Sequence, residues 1–306
     1  MKGNPIRPFA TRRRFLGGML VAGCLPMAGC LSALKGAQGP SFALFNDVHE
    51  SVSFFPRLVP MACGCDFTVL AGDVVNDVRD DGSLDRLLLE PMAMIRRETG
   101  VSCEFVRGNH EMRGPAADRL PAALGFADGV LYRARTVKGV RFVFLDTCEN
   151  RPLDGIKGDR GKRIAAYLEQ ERLWLEREIA SPEWKDARAR FVILHIPPTI
   201  VNPDLDTRAK VPVQWSVRPG PVTALHDLLG TANVTAMFSG HIHIAAFDEP
   251  WAVRPYPVIV GGGHSDPKDR RLTEALLTRC DVGETGFTVR QFALDGSVRH
   301  RRFFPF

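Results

Sequence analysis

Past residue 40 the chain switches repeatedly between short apolar runs and longer amphipathic stretches. Ser41–Phe45, Phe67–Ala71, Glu104–Arg107, Arg141–Leu145, Arg190–Leu194 and Thr235–Phe238 are apolar runs of strand length. Near-continuous apolar runs of this kind are expected of strands covered on both faces. Each has Gly, Asp, Asn or His close beyond its C-terminal end, where a strand gives way to a loop. Between them, Leu84–Arg97 and Arg163–Ile179 read as helices. In the second, Ile164, Tyr167, Leu168, Leu175 and Ile179 recur at helical spacing with Glu and Arg on the other face, and Pro182 stops it. The last third adds strand-like runs at Val258–Val260, Leu276–Cys280 and Gly286–Phe292, with Asp295-Gly296 marking a hairpin turn. Alternating strands and helices predict an α/β domain with largely buried strands.

Composition changes this picture little. Of 306 residues 45% are hydrophobic and 25% charged, ordinary values for a globular chain long enough to bury a large core. The net charge of +5 is more informative once it is located. Residues 1–30 hold Lys2, Arg7, Arg12, Arg13 and Arg14 and no acid, so the rest of the chain is neutral. A nucleic-acid binder normally keeps a basic patch on its folded body, and none is expected here as a partner. Arg299-His300-Arg301-Arg302 is the one basic run outside the leader, and it reads as a solvated strand end.

The leader has its own signature. Thr11-Arg-Arg-Arg-Phe-Leu16 precedes an apolar, small-residue stretch from Gly17 to Gly29, too short to span a bilayer comfortably. A charged start, a short apolar run and small residues before a break make residues 1–30 a signal peptide, with 31–40 as a linker and 41–306 as the catalytic domain. The arginines followed by Phe-Leu resemble a twin-arginine export signal, which implies a periplasmic or membrane-anchored location. Cys24 and Cys30 each look like the lipidated cysteine of a bacterial lipoprotein. Cys24 has the better preceding residues and Cys30 the better length of apolar run, while an ordinary cleaved signal needs neither. Cys63, Cys65, Cys103, Cys148 and Cys280 follow in the mature chain, an odd number that cannot all pair within it. They read as small buried hydrophobes.

Candidate chemistry collects where strands end, as it does in open α/β sheets. Five such ends carry Asp47-Val48-His49, Gly72-Asp73-Val74-Val75-Asn76, Gly108-Asn109-His110-Glu111, His195, and Gly240-His241-Ile242-His243. Singly each is weak, because a lone strand-end histidine is more often a core or surface residue. Together they take up five of the eight histidines. Mixed imidazole and carboxylate donors favour Mn, Fe or Zn over Mg. Asp47 and His49, two apart in an extended loop, can point the same way.

The blocks and their order resemble the calcineurin-like metallophosphoesterase superfamily, whose pattern runs D-x-H, G-D-x-x-[ND], G-N-H-[DE], H, G-H-x-H. The resemblance implies a four-layer α/β/β/α sandwich of two mixed sheets, with a metal site at the strand C-terminal ends. It implies two transition-metal ions and a small phosphorylated substrate, either a phosphomonoester or a phosphodiester. By position, Asp47, His49 and His243 would hold one ion and Asn109, His195 and His241 the other, with Asp73 bridging. Ions about 3.5–4 Å apart acidify a bridging water that can then attack phosphorus. His110 would steady the developing charge or protonate the leaving oxygen. Asn76 and Glu111 are candidates to hold the imidazoles from behind, with capping or turn roles as the alternative. Asn109 also faces the substrate in this reading, and Arg113 or Arg107 can grip a phosphate oxygen unless spent on salt bridges.

Two departures narrow the resemblance. Gly72-Asp-Val-Val-Asn-Asp77 lacks the arginine that protein Ser/Thr phosphatases carry in this block. Asn76 stands where purple acid phosphatases place a metal-binding tyrosine. Phe54–Cys65, Glu149–Gly161 and Pro203–Gly220 are the expected specificity loops, with the 199–220 segment a lid or a plain loop and His264 a turn or pocket residue. A catalytically silent lipoprotein scaffold on the same fold is the competing reading. Loss of a ligand or of His110 would have favoured it, and all of those positions are intact.

Overall fold

A computed structural model describes residues 39–126, 128–147, 156, 158–197, 221–250, 252, 254–263 and 275–306. The leader with Cys24 and Cys30, Cys148, residues 149–155, the 199–220 segment and His264 lie outside the described residues.

Among the described residues twelve strands form two six-stranded mixed sheets. They are β1 Ser41–Phe45, β2 Phe67–Ala71, β3 Ser102–Val106, β4 Arg133–Val137, β5 Val140–Phe144 and β6 Ala189–Ile193, then β7 Ala236–Ser239, β8 Ala246–Asp248, β9 Val258–Val260, β10 Leu276–Val282, β11 Gly286–Ala293 and β12 Val298–Pro305. The first sheet runs β12-β11-β10-β1-β2-β3 and the second β4-β5-β6-β7-β9-β8. β1, β2 and β3 pair in parallel, as do β5, β6, β7 and β9. The remaining pairs are antiparallel.

The apolar runs have the expected cause. Phe42, Phe67, Phe142, Phe191, Phe238 and Phe287 fill the space between the sheets, and all are at most 1% exposed. Phe42 stacks on Phe67 and meets Phe142 and Phe238 edge-on, the arrangements aromatic quadrupoles favour. The other face of the first sheet is covered by helices Phe55–Ala62 and Glu90–Thr99. That of the second is covered by Asp159–Ala180 and Pro221–Thr231. The result is the four-layer α/β/β/α sandwich. Among the described residues no helix is long and apolar enough to cross a membrane.

Several expectations are corrected. Phe54–Cys65 is mostly a helix rather than a loop, its Phe55, Leu58, Val59 and Ala62 buried at helical spacing while Pro56 and Pro60 obscure the pattern. The expected helix over Leu84–Arg97 is built in pieces, with a π-helical stretch at Asp85–Leu89 before Glu90–Thr99. Pro91 has no N–H for the carbonyl of Leu87 and its ring crowds that turn, which widens the helix there. Cys65, Cys103 and Cys280 are buried, but Cys63 is exposed. The Arg299–Arg302 run is a largely exposed strand end as expected, near the start of the edge strand β12, where Arg302 pairs with Glu249 and Arg299 lies 3.5 Å from Asp295.

One side of the sandwich is stitched by charge. Arg133 and Arg135 of β4 reach Glu104 of β3 at 2.7 and 2.6 Å, joining an edge of each sheet. Burial opposes ionisation of Glu104, and the two guanidinium groups outweigh it, holding the carboxyl below its usual range.

Candidate metal centre

The five sequence blocks lie immediately beyond the C-terminal ends of β1, β2, β3, β6 and β7. Backbone bonds lace them together: Asp47 N–H donates to Gly72 O and His49 N–H to Asp73 O, both at 3.0 Å, and Gly240 N–H donates to His195 O at 3.0 Å. Asp47, His49, Asp73, His241 and His243 all have positive φ, between 46° and 72°. A side chain in this left-handed region costs on the order of 1–3 kcal/mol, and such residues cluster where geometry serves a site. Glycine is required at Gly72, where a Cβ would lie 2.4 Å from His195 Nδ1.

These turns bring the side chains together. Oδ2 of Asp73 is 3.1 Å from Nε2 of His195 and 3.9 Å from Nε2 of His49. Oδ1 of Asp47 is 3.5 Å from Nε2 of His243. Asp47, His49, Asp73 and His243 form one group of potential ligands and Asp73, His195 and His241 a second, each group converging within 4.8 Å, with Asp73 common to both. Asn109 is beside them, since the His110 N–H that follows it donates to Asp73 Oδ1 at 2.9 Å. Its own Oδ1 is buried and has no hydrogen-bond partner among the described residues.

The far sides of the rings are occupied. His195 Nδ1 donates to the Ala71 carbonyl at 2.9 Å, and His49 Nδ1 lies 2.9 Å from Asn76 Oδ1. A carbonyl oxygen only accepts, so Nδ1 carries a proton in each ring and Nε2 faces the centre, where a metal ion would take the place of a second proton. Nε2 of His49 and Nε2 of His243 are 3.0 Å apart, a separation that calls for a proton or a cation between them. With the orphaned Asn109 oxygen, this donor set fits a pair of transition-metal ions.

Electrostatics follow from the crowding. Burial pushes the Asp47 carboxyl up to about 7, with Asp73 adding to the effect. Burial would also raise Asp73, but His195, His110 and His49 outweigh it and hold that carboxyl below the usual range. Burial opposes a charged His195, yet Asp73 and Asp47 lift it to about 10. Burial pushes His241 down to about 3, helped by the charge of His195.

His110 lies at the rim, its Nε2 3.9 Å from Asp73 Oδ2 and its Nδ1 2.8 Å from the Asn76 carbonyl. Asn76 therefore touches both His49 and His110. Glu111 takes the second of its two expected roles, holding turns rather than an imidazole. Its carboxylate accepts the backbone N–H groups of Asp73, Val74, Val75 and Gly108 at 2.6–3.2 Å, which folds the second loop against the third. Burial raises its carboxyl above the usual range.

Arg107 is also corrected. It is 8% exposed and grips Asp146 through two bonds of 3.1 and 2.6 Å, with Tyr167 OH donating to the same carboxylate at 2.9 Å. It ties the end of β3 to that of β5 and has no free face for a substrate. Arg107→Ala strands a buried carboxylate and should cost about 3–5 kcal/mol, read by urea unfolding. Wild-type stability in that variant would return Arg107 to the substrate-facing candidates.

Sequence reasoning passed over Asn46. Its Nδ2 donates to Asp47 Oδ2 at 2.6 Å and to Gly262 O at 2.9 Å, clasping the first ligand loop to the Gly261-Gly262-Gly263 run. A Cβ at Gly261 would lie 1.9 Å from Asn46 Oδ1, so the glycine run was the available signal.

Comparison with known proteins agrees with this geometry. The fold is similar to a dimetal phosphatase from Danio rerio, at 14% identity and a TM-score of 0.61, over 87% of this chain and 99% of that one. It is also similar to a purple acid phosphatase from seeds of yellow lupin (Lupinus luteus), at 12% identity and a TM-score of 0.57, over 87% of this chain and 53% of that one. The chain thus spans about half the length of the lupin enzyme. No curated protein sequence matches significantly. A sequence profile for calcineurin-like phosphoesterases matches residues 40–245, a span that takes in the whole cluster from Asp47 to His243. The chain belongs to the calcineurin-like phosphoesterase family and is a hydrolase of phosphoric esters.

Proposed function

We propose that this protein is an exported phosphoesterase that holds two transition-metal ions and hydrolyses small phosphate esters. The observation that carries the reading is the pair of ligand groups sharing Asp73, with the unpartnered Asn109 oxygen beside them. Asp47, His49 and His243 would hold one ion, Asn109, His195 and His241 the other, and Asp73 both. When bound, the ions supply Lewis acidity that acidifies water and offsets charge building on phosphoryl oxygens.

The chain's own residues position and move protons. Hydrolysis forms a bond from water oxygen to phosphorus and breaks the ester P–O bond, so the departing oxygen must gain a proton. His110 is the group for that task, because Nδ1 is committed to the Asn76 carbonyl and Nε2 is the atom turned toward Asp73. Asn76 and Glu111 fix the two loops that present His49, Asp73 and His110.

Purified protein should carry two transition-metal ions per chain and release p-nitrophenol from p-nitrophenyl phosphate or its bis ester. Chelation should remove the activity and Mn, Fe or Zn restore it. Folded protein that stays inactive and metal-free after all three are supplied would sink the reading and favour a silent scaffold.

Export rests on the leader alone, with Cys24 or Cys30 as the candidate lipid anchor. Replacing Arg12 and Arg13 by Lys and fractionating cells tests it. Cytoplasmic retention supports the signal, and unchanged delivery contradicts it.

A further inference from the structure

The buried and half-buried arginines of this fold generally hold acids: Arg107 holds Asp146, Arg133 Glu104, Arg141 Glu178 and Arg254 Asp248. Arg113 does not. It is half-buried, stands four residues beyond Asn109, and has no carboxylate partner among the described residues. Its guanidinium instead lies against His110, with Nη1 3.1 Å from Nε2 and 3.2 Å from Nδ1. These near-equal distances place Nη1 over the ring rather than along either nitrogen's lone pair, and with His110 Nδ1 donating to the Asn76 carbonyl, Nε2 is the ring atom left to present a proton to a ligand.

This placement is held firmly. Arg113 N–H donates to His110 O at 3.0 Å, and Arg113 O accepts from Val78 N–H at 2.9 Å. The next residue, Gly114, packs so closely on that strand of backbone that a Cβ would lie 2.3 Å from Val78 O. A half-buried guanidinium with no acid partner among the described residues, fixed beside an imidazole, is a seat for an anion.

We propose that Arg113 and His110 Nε2 seat a terminal phosphoryl group, and that this seat makes the site selective for phosphate monoesters over diesters. The proposal rests on the reading that the centre hydrolyses phosphate esters. A monoester dianion offers three unesterified oxygens, so the arginine fork can take one or two while others face the ligand cluster. A diester carries one negative charge fewer, and its second ester group occupies an oxygen the fork would otherwise grip. Arg113 supplies charge and donors only, because a guanidinium keeps its protons. The proton taken by the departing alcohol oxygen comes from the His110 side of the seat.

The test uses the manganese-loaded wild type, Arg113→Gln and Arg113→Lys, with metal content and melting temperature as controls. Inorganic phosphate binding is measured by calorimetry, and kcat/KM is measured on p-nitrophenyl phosphate and bis-p-nitrophenyl phosphate. Loss of one charge-assisted contact should weaken phosphate binding at least ~10-fold in Arg113→Gln. The monoester-to-diester ratio should fall by a similar factor, and Arg113→Lys should recover part of both. Unchanged phosphate affinity and ratio in Arg113→Gln, or a wild type that prefers the diester, would overturn the proposal. Should Arg113→Gln lose its metals, Arg113→Lys decides alone: phosphate affinity equal to wild type would overturn the seat. Protein that binds phosphate through Arg113 but cleaves neither ester would uphold the seat and overturn the hydrolase reading.

Discussion

Asp73→Asn should abolish hydrolysis, lowering kcat/KM by on the order of a thousandfold or more, and should strip metal from both positions. Residues that merely support ligands typically contribute 10–100-fold, and a shared charged ligand should contribute more. Asp73 is common to both ligand groups, and no other carboxylate among the described residues belongs to the second. The variant keeps the shape of the side chain, so the fold should survive. His195 loses the neighbouring charge of Asp73, and relief of repulsion with Asp47 offsets part of that loss. Metal content by elemental analysis and melting temperature separate a site effect from unfolding. An Asp73→Asn protein with two ions and near-normal turnover would remove Asp73 from its place at the centre.

His110→Ala should behave differently. His110 belongs to neither ligand group, so both ions should remain while kcat falls about 10²–10⁴-fold, the usual worth of a positioned acid or base. The loss should be smaller for substrates with a good leaving group, whose oxygen needs less help from a proton. Comparing p-nitrophenyl phosphate with an alkyl phosphate reads that difference. Equal losses on both substrates would assign His110 to binding, and loss of metal would make it structural.

Much of this was legible before any coordinates. Strands such as Phe67–Ala71 announce themselves because both faces are covered, leaving no room for polar residues. β4 did not, since Arg133 and Arg135 point charge toward Glu104 of the other sheet, so a strand looked like a polar loop. β12 is half visible, because the hairpin turn at Asp295-Gly296 and the strand end at Arg299–Arg302 point to it while its arginines break the apolar pattern, and β8 has only three residues. The seven candidate ligands are legible because each follows a strand end, and three of them, Asp73, Asn109 and His241, come directly after a glycine. The left-handed backbone of five of them is not, because nothing in an Asp or a His marks a positive φ. Arg107 and Arg113 looked alike in sequence. What separates them is an acid 39 residues away, Asp146, which takes the first and leaves the second to the site. Contacts of that kind arise from packing between sheets and have no local signature.

Anomalous diffraction from metal-loaded crystals asks the central question most directly. Two peaks are expected, one among Asp47, His49 and His243 and the other among Asn109, His195 and His241, with a carboxylate oxygen of Asp73 reaching both. A single peak, or ions held by other residues after loading with Mn, Fe or Zn, would contradict the two-ion centre.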